Sequence, residues 1–437
     1  KWEKSPDRVP GNEYSTEFRE KWGRMAKICL SPEEVALLQK NVSNVSKFEF
    51  DYFHSTRIDL MLFANIKKYG IDVSDNPLWQ EVIYKVHRKH IVLPEVERAQ
   101  EFIENNHLPI YSIKGAQSNR LYSEGEGIRV HKDYDYIALS SESAFQLASF
   151  LFSKGFVIAS GVFSIKKVVI NGNIRFSGHF HLRKVLHNQF EVVIDINYPG
   201  FPLGRIDLYN PLLKGNCLSD EEQFMITLCH AFKHRDVPMK DLNDLYLMMQ
   251  KRELDYEYIL QRIQLYGLEF YASMLFGFIF DHYDFDETTV AMITRRLRID
   301  KEIYRSFPHW PFDPGEELKV KQRDLDKRSK EKIDYMRIYL SPLIVYKENS
   351  PIYESALHDL GDAGYTVDCL GEYVWEATRD NIGFILTSMG IFIDTYADVV
   401  SVGREKIKCY LRELLSILGV KTFYDVMVDL HPLTKWF

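Results

Sequence analysis

Cysteine is scarce in this chain. Five occur among 437 residues, at positions 29, 217, 229, 369 and 409, and no two form a C-x-x-C pair. An odd, scattered set excludes a disulfide framework and a cysteine-rich zinc site, and it points to a reducing cytoplasm. Long apolar runs are missing as well. The longest, residues 270–280 and 382–393, fall short of the ~20 residues a bilayer demands; both read as buried helices, and no membrane partner is expected. No basic-then-apolar leader opens the chain. Positive charge is in deficit, with 55 Lys and Arg against 62 Asp and Glu and a net charge of −7, which excludes a protein that coats nucleic acid generally. A G-x-S-x-G elbow, a Walker loop and a G-x-G-x-x-G fingerprint are absent, as are internal repeats and low-complexity tracts.

What is present is ordinary globular material: 46% hydrophobic and 27% charged residues, with 26 Tyr and 28 Phe to build an aromatic core. The length suggests two or three domains. Residues 12–106 read as helical. Ser31-Pro32-Glu33-Glu34 carries a capping serine, a proline at the first helical position and acids in the first turn; Ile58, Leu62, Ile66 and Ile71 keep a helical spacing; Pro77 and Pro94 each open a further helical stretch. At His107 the pattern changes. Residues 108–113 form a short apolar strand that ends at Lys114-Gly115, followed by a helix over 116–122. Residues 134–139 read as a second strand and 141–154 as a helix. Asn171-Gly172 between 168–170 and 174–176 is a hairpin signal, and 180–186 and 190–196 pair around His187-Asn188-Gln189. Helices return at 218, with Ser219 capping one that runs through His234 and another over 238–249. Residues 308–315 break the pattern, 316–332 form a charged helix or linker, and the remainder reads as helical to about 428. The expected class is α+β, a small mixed β-sheet embedded in a largely helical chain. Four regions follow: an N-terminal helical region (1–106), an α/β core (107–215), a helical region (216–307), and a charged linker with a C-terminal helical region (308–437).

The chemistry concentrates in residues 113–139. Asp133 and Asp135 lie two apart at the start of a predicted strand, so both project to one face. Carboxylates so placed repel and raise each other's pKa; a hard dication such as Mg²⁺, or Mn²⁺, relieves that cost through oxygen ligands. Two such ions ~4 Å apart can clamp both oxygens of a phosphoryl or nucleotidyl transfer. Lys114-Gly115 precedes the acids: Gly115 allows close backbone approach, the helix that follows offers free N–H groups, and Lys114 supplies a compact cation for a triphosphate. Arg129, just before the acids, can fork onto phosphate oxygens. His179 and His181 alternate on a strand and read as surface or paired histidines. Asp284 and Asp286 form a second acidic pair among helices, read as a solvated loop. A zinc reading of His230 and His234 lacks the glutamate that metalloproteases place after the first histidine.

The order strand, Lys-Gly turn, helix, Tyr, Arg, then D-x-D resembles the uncharacterised bacterial nucleotidyltransferase family, a branch of the nucleotidyltransferase-fold superfamily. The residues that carry the resemblance are Lys114-Gly115, Leu121-Tyr122, Arg129 and Asp133-Tyr134-Asp135. The chain is more distantly similar to the nucleotidyltransferase toxins of abortive-infection systems. The resemblance spans roughly residues 60–250 and implies a sheet of nucleotidyltransferase type. It also implies a third carboxylate on a later strand. Asp195 fits best, with Glu191 and Asp207 as rivals; the family's D-x-H is Asp195-Ile196-Asn197 here, which leaves the metal ligand and removes the histidine. Downstream, His230 and His234 with residues 240–245 resemble the family's helical H-x-x-x-H and Asp segment, packing against Asp244 or contacting the nucleotide.

The implied function is Mg²⁺-dependent transfer of a nucleoside monophosphate from an NTP to an acceptor hydroxyl or phosphate. Asp133, Asp135 and Asp195 would be the catalytic, metal-holding carboxylates, and Lys114, Gly115, Arg129, His230 and His234 would contact the nucleotide. The co-substrate is an NTP, and the overall acidity favours a small-molecule or peptide acceptor over RNA. The rivals are a toxin-like tRNA-modifying nucleotidyltransferase and a catalytically silent nucleotide-binding scaffold.

Overall fold

A computed structural model describes residues 14–122, 133–170, 173–187, 190–198, 210–215, 217–233, 239–307, 310, 335–347, 352–371, 374–394 and 404–425. Helices come first: α1 (Thr16–Met25), α2 (Pro32–Asn41), α3 (Lys47–Thr56), α4 (Asp59–Lys68) and α5 (Leu78–Asn105). Strand β1 (Ile110–Ser112) leads into a short helix α6 (Gly115–Ser118) and a 3₁₀ turn (Asn119–Leu121). Then come β2 (Asp133–Ala138), α7 (Ser141–Ser153), β3 (Val157–Ile170), β4 (Asn173–Leu186) and β5 (Phe190–Tyr198). A small ribbon of β6 (Leu213–Lys214) and β7 (Cys217–Leu218) precedes six helices: α8 (Asp220–Lys233), α9 (Met239–Lys251), α10 (Tyr256–Tyr266), α11 (Glu269–His282), α12 (Glu287–Leu297) and α13 (Lys301–Arg305). The chain closes with β8 (Tyr335–Tyr346), α14 (Glu354–Asp362), β9 (Thr366–Gly371), β10 (Val374–Arg379), β11 (Ile382–Thr387), β12 (Gly390–Asp394), α15 (Arg404–Ile417) and β13 (Phe423–Asp425). No helix among the described residues is long and apolar enough to cross a membrane.

The fold is α+β, and the chain divides into two compact units. One takes in Lys1–Ile91, Ile113–His131 and Asn210–Lys330; the other takes in Val92–Ser112, Lys132–Tyr209 and Glu331–Phe437. The first is helical. Local chemistry sets its helix starts: Ser31 and Ser46 each close a capping box, with Glu34 and Glu49, and Asp255 and Asp286 cap α10 and α12. Its N-terminal core is aromatic, with Trp22 edge-on to Phe53 and Trp79 edge-on to Phe50. Pro94 does not open a new helix as the sequence suggests; it lies inside α5, which runs unbroken for 28 residues. Proline removes one ladder hydrogen bond there, and the turns on either side keep the helix continuous.

The second unit is built on one sheet with strand order β1-β2-β5-β4-β3-β8-β12-β11-β10-β9, with β13 paired to β8. β2 and β5 are parallel; the other pairings are antiparallel. Helix α7 covers one face at the β2-β5-β4 end, where the Phe145 ring meets those of Phe180 and Tyr198 at 6.0 and 5.6 Å. Helices α14 and α15 share a core with β8 and with β10 to β12, through Leu360, Ile407, Leu411, Leu414, Phe384 and Ile393. The sheet rolls over the α7 side. Lys167 of β3 pairs with Glu376 of β10 at 3.2 Å although β8, β12 and β11 lie between them in the order. Ser388, in the β11–β12 turn, donates to Glu142 of α7 at 2.8 Å.

The expectation of helix throughout the C-terminal region is therefore corrected. Residues 335–346 and 366–394 are mostly strand, and the apolar run 382–393 is a hairpin, not a buried helix. Its strands are buried on both faces, so the run loses the alternation that marks a half-exposed strand, and periodicity cannot separate it from a buried helix. Asp380 and Asn381 both take positive φ, 52° and 63°, in the two-residue turn that joins β10 to β11. The charged stretch 316–332 lies outside the described residues.

Candidate active site

The two aspartates of the D-x-D motif open β2, and a tyrosine separates them, so strand alternation sends both to the same face. In the parallel pairing with β5, Asp133 stands opposite Val193 and Asp135 opposite Asp195. Partners on adjacent strands lie ~4.8 Å apart with side chains on a common face. Asp133, Asp135 and Asp195 thus share one face. The alternate residues Tyr134, Tyr136, Ile194 and Ile196 are buried on the other face, the one under α7. Asp135 and Asp195 are 8% and 7% exposed, and Asp133 is half-buried.

Strand β4 adds two imidazoles to this face. His181 is the cross-strand partner of Asp195, and His179 that of Asn197. The diagonal neighbour makes the contact: Nε2 of His179 lies 2.5 Å from Oδ1 of Asp195. The approach is close but lacks hydrogen-bond alignment, and both atoms are buried with no hydrogen-bond partner. The two histidine rings stack with centroids 6.4 Å apart. Gly178, just before His179, is packed beneath Tyr198; a Cβ there would fall 1.9 Å from the ring, so this glycine sets how closely β4 and β5 approach at the site. Glu191, a rival for the third carboxylate, pairs with Arg183 at 3.3 Å. Asp207, the other rival, lies outside the described residues.

The donor set suits a hard dication. Three carboxylates lie on one face, and Asp195 carries a buried oxygen without a hydrogen bond. Their ligand oxygens do not all lie within 4.8 Å of one another. Among the described residues the one trio gathered so closely is His358, Asp359 and Asp362, all exposed on α14.

The remaining candidates belong to the helical unit. Lys114, and not Gly115, takes the left-handed backbone of the turn, with φ 54°; Gly115 is the first residue of α6. Helix replaces coil over fewer residues than the sequence suggests, because the segment tightens into 3₁₀ at Asn119. That turn is tied to α9: Tyr122 donates to Asp244 at 2.6 Å, and Lys251 donates to the Leu121 carbonyl at 2.7 Å. His230 is paired through Nδ1 with Asp241 at 2.9 Å. Asn243, on the same helix, bonds the Ile28 N–H and the Ala26 carbonyl at 3.1 Å each. Asp286 caps α12 and accepts from the Thr289 N–H at 2.8 Å, as a loop acid would. Arg129 and His234 lie outside the described residues.

A family model for an uncharacterised nucleotidyltransferase matches residues 50–279, more than half of the chain. The chain belongs to that nucleotidyltransferase family. No curated protein matches it. The matched span holds β1 to β5, both halves of the acidic face and the α8–α9 pair. Strands β8 to β13 lie beyond it, so the nucleotidyltransferase sheet is extended here at β3 by strands from outside the matched span. His179, read from the sequence as a surface or paired strand histidine, meets Asp195 at this site. Its signal was available: a three-residue loop at 187–189 with Leu186 opposite Phe190 places 181 opposite 195 and 179 opposite 197.

Proposed function

We propose that this nucleotidyltransferase moves a nucleoside monophosphate from an NTP to an acceptor hydroxyl or phosphate, with pyrophosphate leaving, and that it depends on Mg²⁺ or Mn²⁺. The observation that carries the reading is the register of β2 and β5. It sets Asp135 beside Asp195, with Asp133 two residues before, on the face away from α7. Bound there, the metal would neutralise the carboxylates and polarise the triphosphate. Asp133 and Asp135 would hold it on the triphosphate side. Asp195 would hold it beside the acceptor and take the acceptor's proton as the new bond to the α-phosphorus forms. Lys114 and Arg129 would grip the triphosphate, with Gly115 allowing the backbone close. His230, its ring fixed by Asp241, and His234 would contact the nucleotide. Such chemistry rests mainly on positioning and charge stabilisation. The net charge of −7 favours a small molecule or a peptide over RNA as acceptor.

The test uses NTPs labelled at the α or at the γ phosphorus, incubated with the protein, Mg²⁺ and a panel of acceptors. Label from the α position should enter an acceptor, and label from the γ position should leave in pyrophosphate. Acceptor labelled from γ, with NDP formed, would make the protein a kinase and overturn the reading. Tight metal-dependent NTP binding with no transfer to any acceptor would favour a nucleotide-binding scaffold.

A further inference from the structure

We infer that His179 is a positioning residue for Asp195: its imidazole fixes the carboxylate that faces the acceptor and so sets how well the acidic face holds a divalent cation. This rests on the metal-dependent reading above.

Three observations support it. Asp195 is nine-tenths buried at the side chain, and a buried carboxylate oxygen with no hydrogen bond is costly unless a partner stands ready. The atom that meets that oxygen is Nε2 of His179, at 2.5 Å, itself buried and without another partner. Register alone does not force this contact. His181 stands directly across from Asp195, yet the ring that closes on the carboxylate is that of its diagonal neighbour His179. β4 and β5 hold the two backbones along nine paired residues, and Gly178 brings β4 close at the adjacent position. The imidazole therefore acts on Asp195 from a rigid strand. Groups that orient metal-holding carboxylates in this way typically change metal affinity or activity about 10–100-fold when removed.

The test compares the full chain with His179→Ala and His179→Gln. Gln can place an amide nitrogen near the position of Nε2. Mn²⁺ binding is followed by water-proton relaxation in the presence of an equimolar mixture of the four NTPs, and the metal-free melting midpoint of each variant is measured alongside. His179→Ala should raise the Mn²⁺ midpoint about 10–100-fold, and His179→Gln should recover most of that loss, although the two melt alike without metal. A wild-type Mn²⁺ midpoint in His179→Ala would overturn the inference. Equal loss in both variants, in step with lowered melting, would also overturn it by making His179 a packing residue. Wild-type protein that binds no Mn²⁺ with NTP would contradict the metal-dependent reading itself, an outcome distinct from the first two.

Discussion

At the scale of single residues, buried polar groups decide how this molecule is held. Asp244 is 1% exposed and its carboxylate accepts from Tyr122, which ties the turn after the Lys-Gly pair to α9. Hydrogen bonds to charged groups contribute about 1.5–3 kcal/mol, so Tyr122→Phe should lower the unfolding free energy by an amount in that range, read from the shifted midpoint of a urea titration. No change would mean that Asp244 is satisfied elsewhere. His282 makes a pH-dependent contribution of the opposite kind. Burial, and then the charges of Lys27 and Arg24, lower its pKa from 6.5 to about 4. The unfolded chain then takes up a proton between pH 6.5 and about 4 that the folded chain refuses. Stability from this group is complete above pH 6.5 and falls as the pH falls through that window, by up to about 3 kcal/mol. His282→Gln should flatten the slope of stability against pH between 6.5 and 4. An unchanged slope would place the titrating group elsewhere.

At the scale of elements, close approach between strands is the constraint most easily tested. Gly390 opens β12 against β8, and a Cβ there would lie 2.2 Å from the Ile344 carbonyl oxygen, a backbone atom that cannot swing away. Gly390→Ala should cost at least the ~1–3 kcal/mol typical of overpacking, read as a lower melting midpoint; a neutral result would show that the β8–β12 pairing yields locally. The elements that sequence made legible were those with local chemistry of their own. Ser31 and Ser219 announce helices through their caps, and the Asn171-Gly172 pair in the sequence announces the β3–β4 hairpin. The acids' shared face followed from a period of two. The strands beyond residue 335 were hidden for the reverse reason: residues such as Phe384, Leu386, Ile391 and Ile393 are buried by tertiary packing under α15, and nothing within ten residues states that partner. Pro94 misled because proline usually starts a helix or stops one, and here the surrounding turns carry the helix through it. The alliance of His179 with Asp195 needed the register of β4 on β5, which the loop length at 187–189 implied and no local motif displayed.

At the scale of the whole molecule, the nucleotidyltransferase sheet is continued by strands from beyond the matched span. All five cysteines are free, and their surroundings rank their reactivity. Cys217, Cys369 and Cys409 are exposed, Cys29 is half-buried, and Cys229 is buried with its thiol pKa pushed up by burial and by Glu222. Timed alkylation of the native protein with peptide mass mapping should modify the three exposed thiols first and Cys229 last; early loss of Cys229 would contradict the packing of α8. The central claim, that the acidic face of β2 and β5 serves a metal-bound nucleoside triphosphate, is tested most directly by calorimetric titration of NTPs with and without Mg²⁺, in wild type and in the variant carrying Asp133→Asn and Asp135→Asn. The wild type should bind NTP in a Mg²⁺-dependent manner. The variant should lose that dependence while staying folded, since removing repelling carboxylates does not strain the sheet. Undiminished Mg²⁺-dependent binding in the double variant would contradict the assignment.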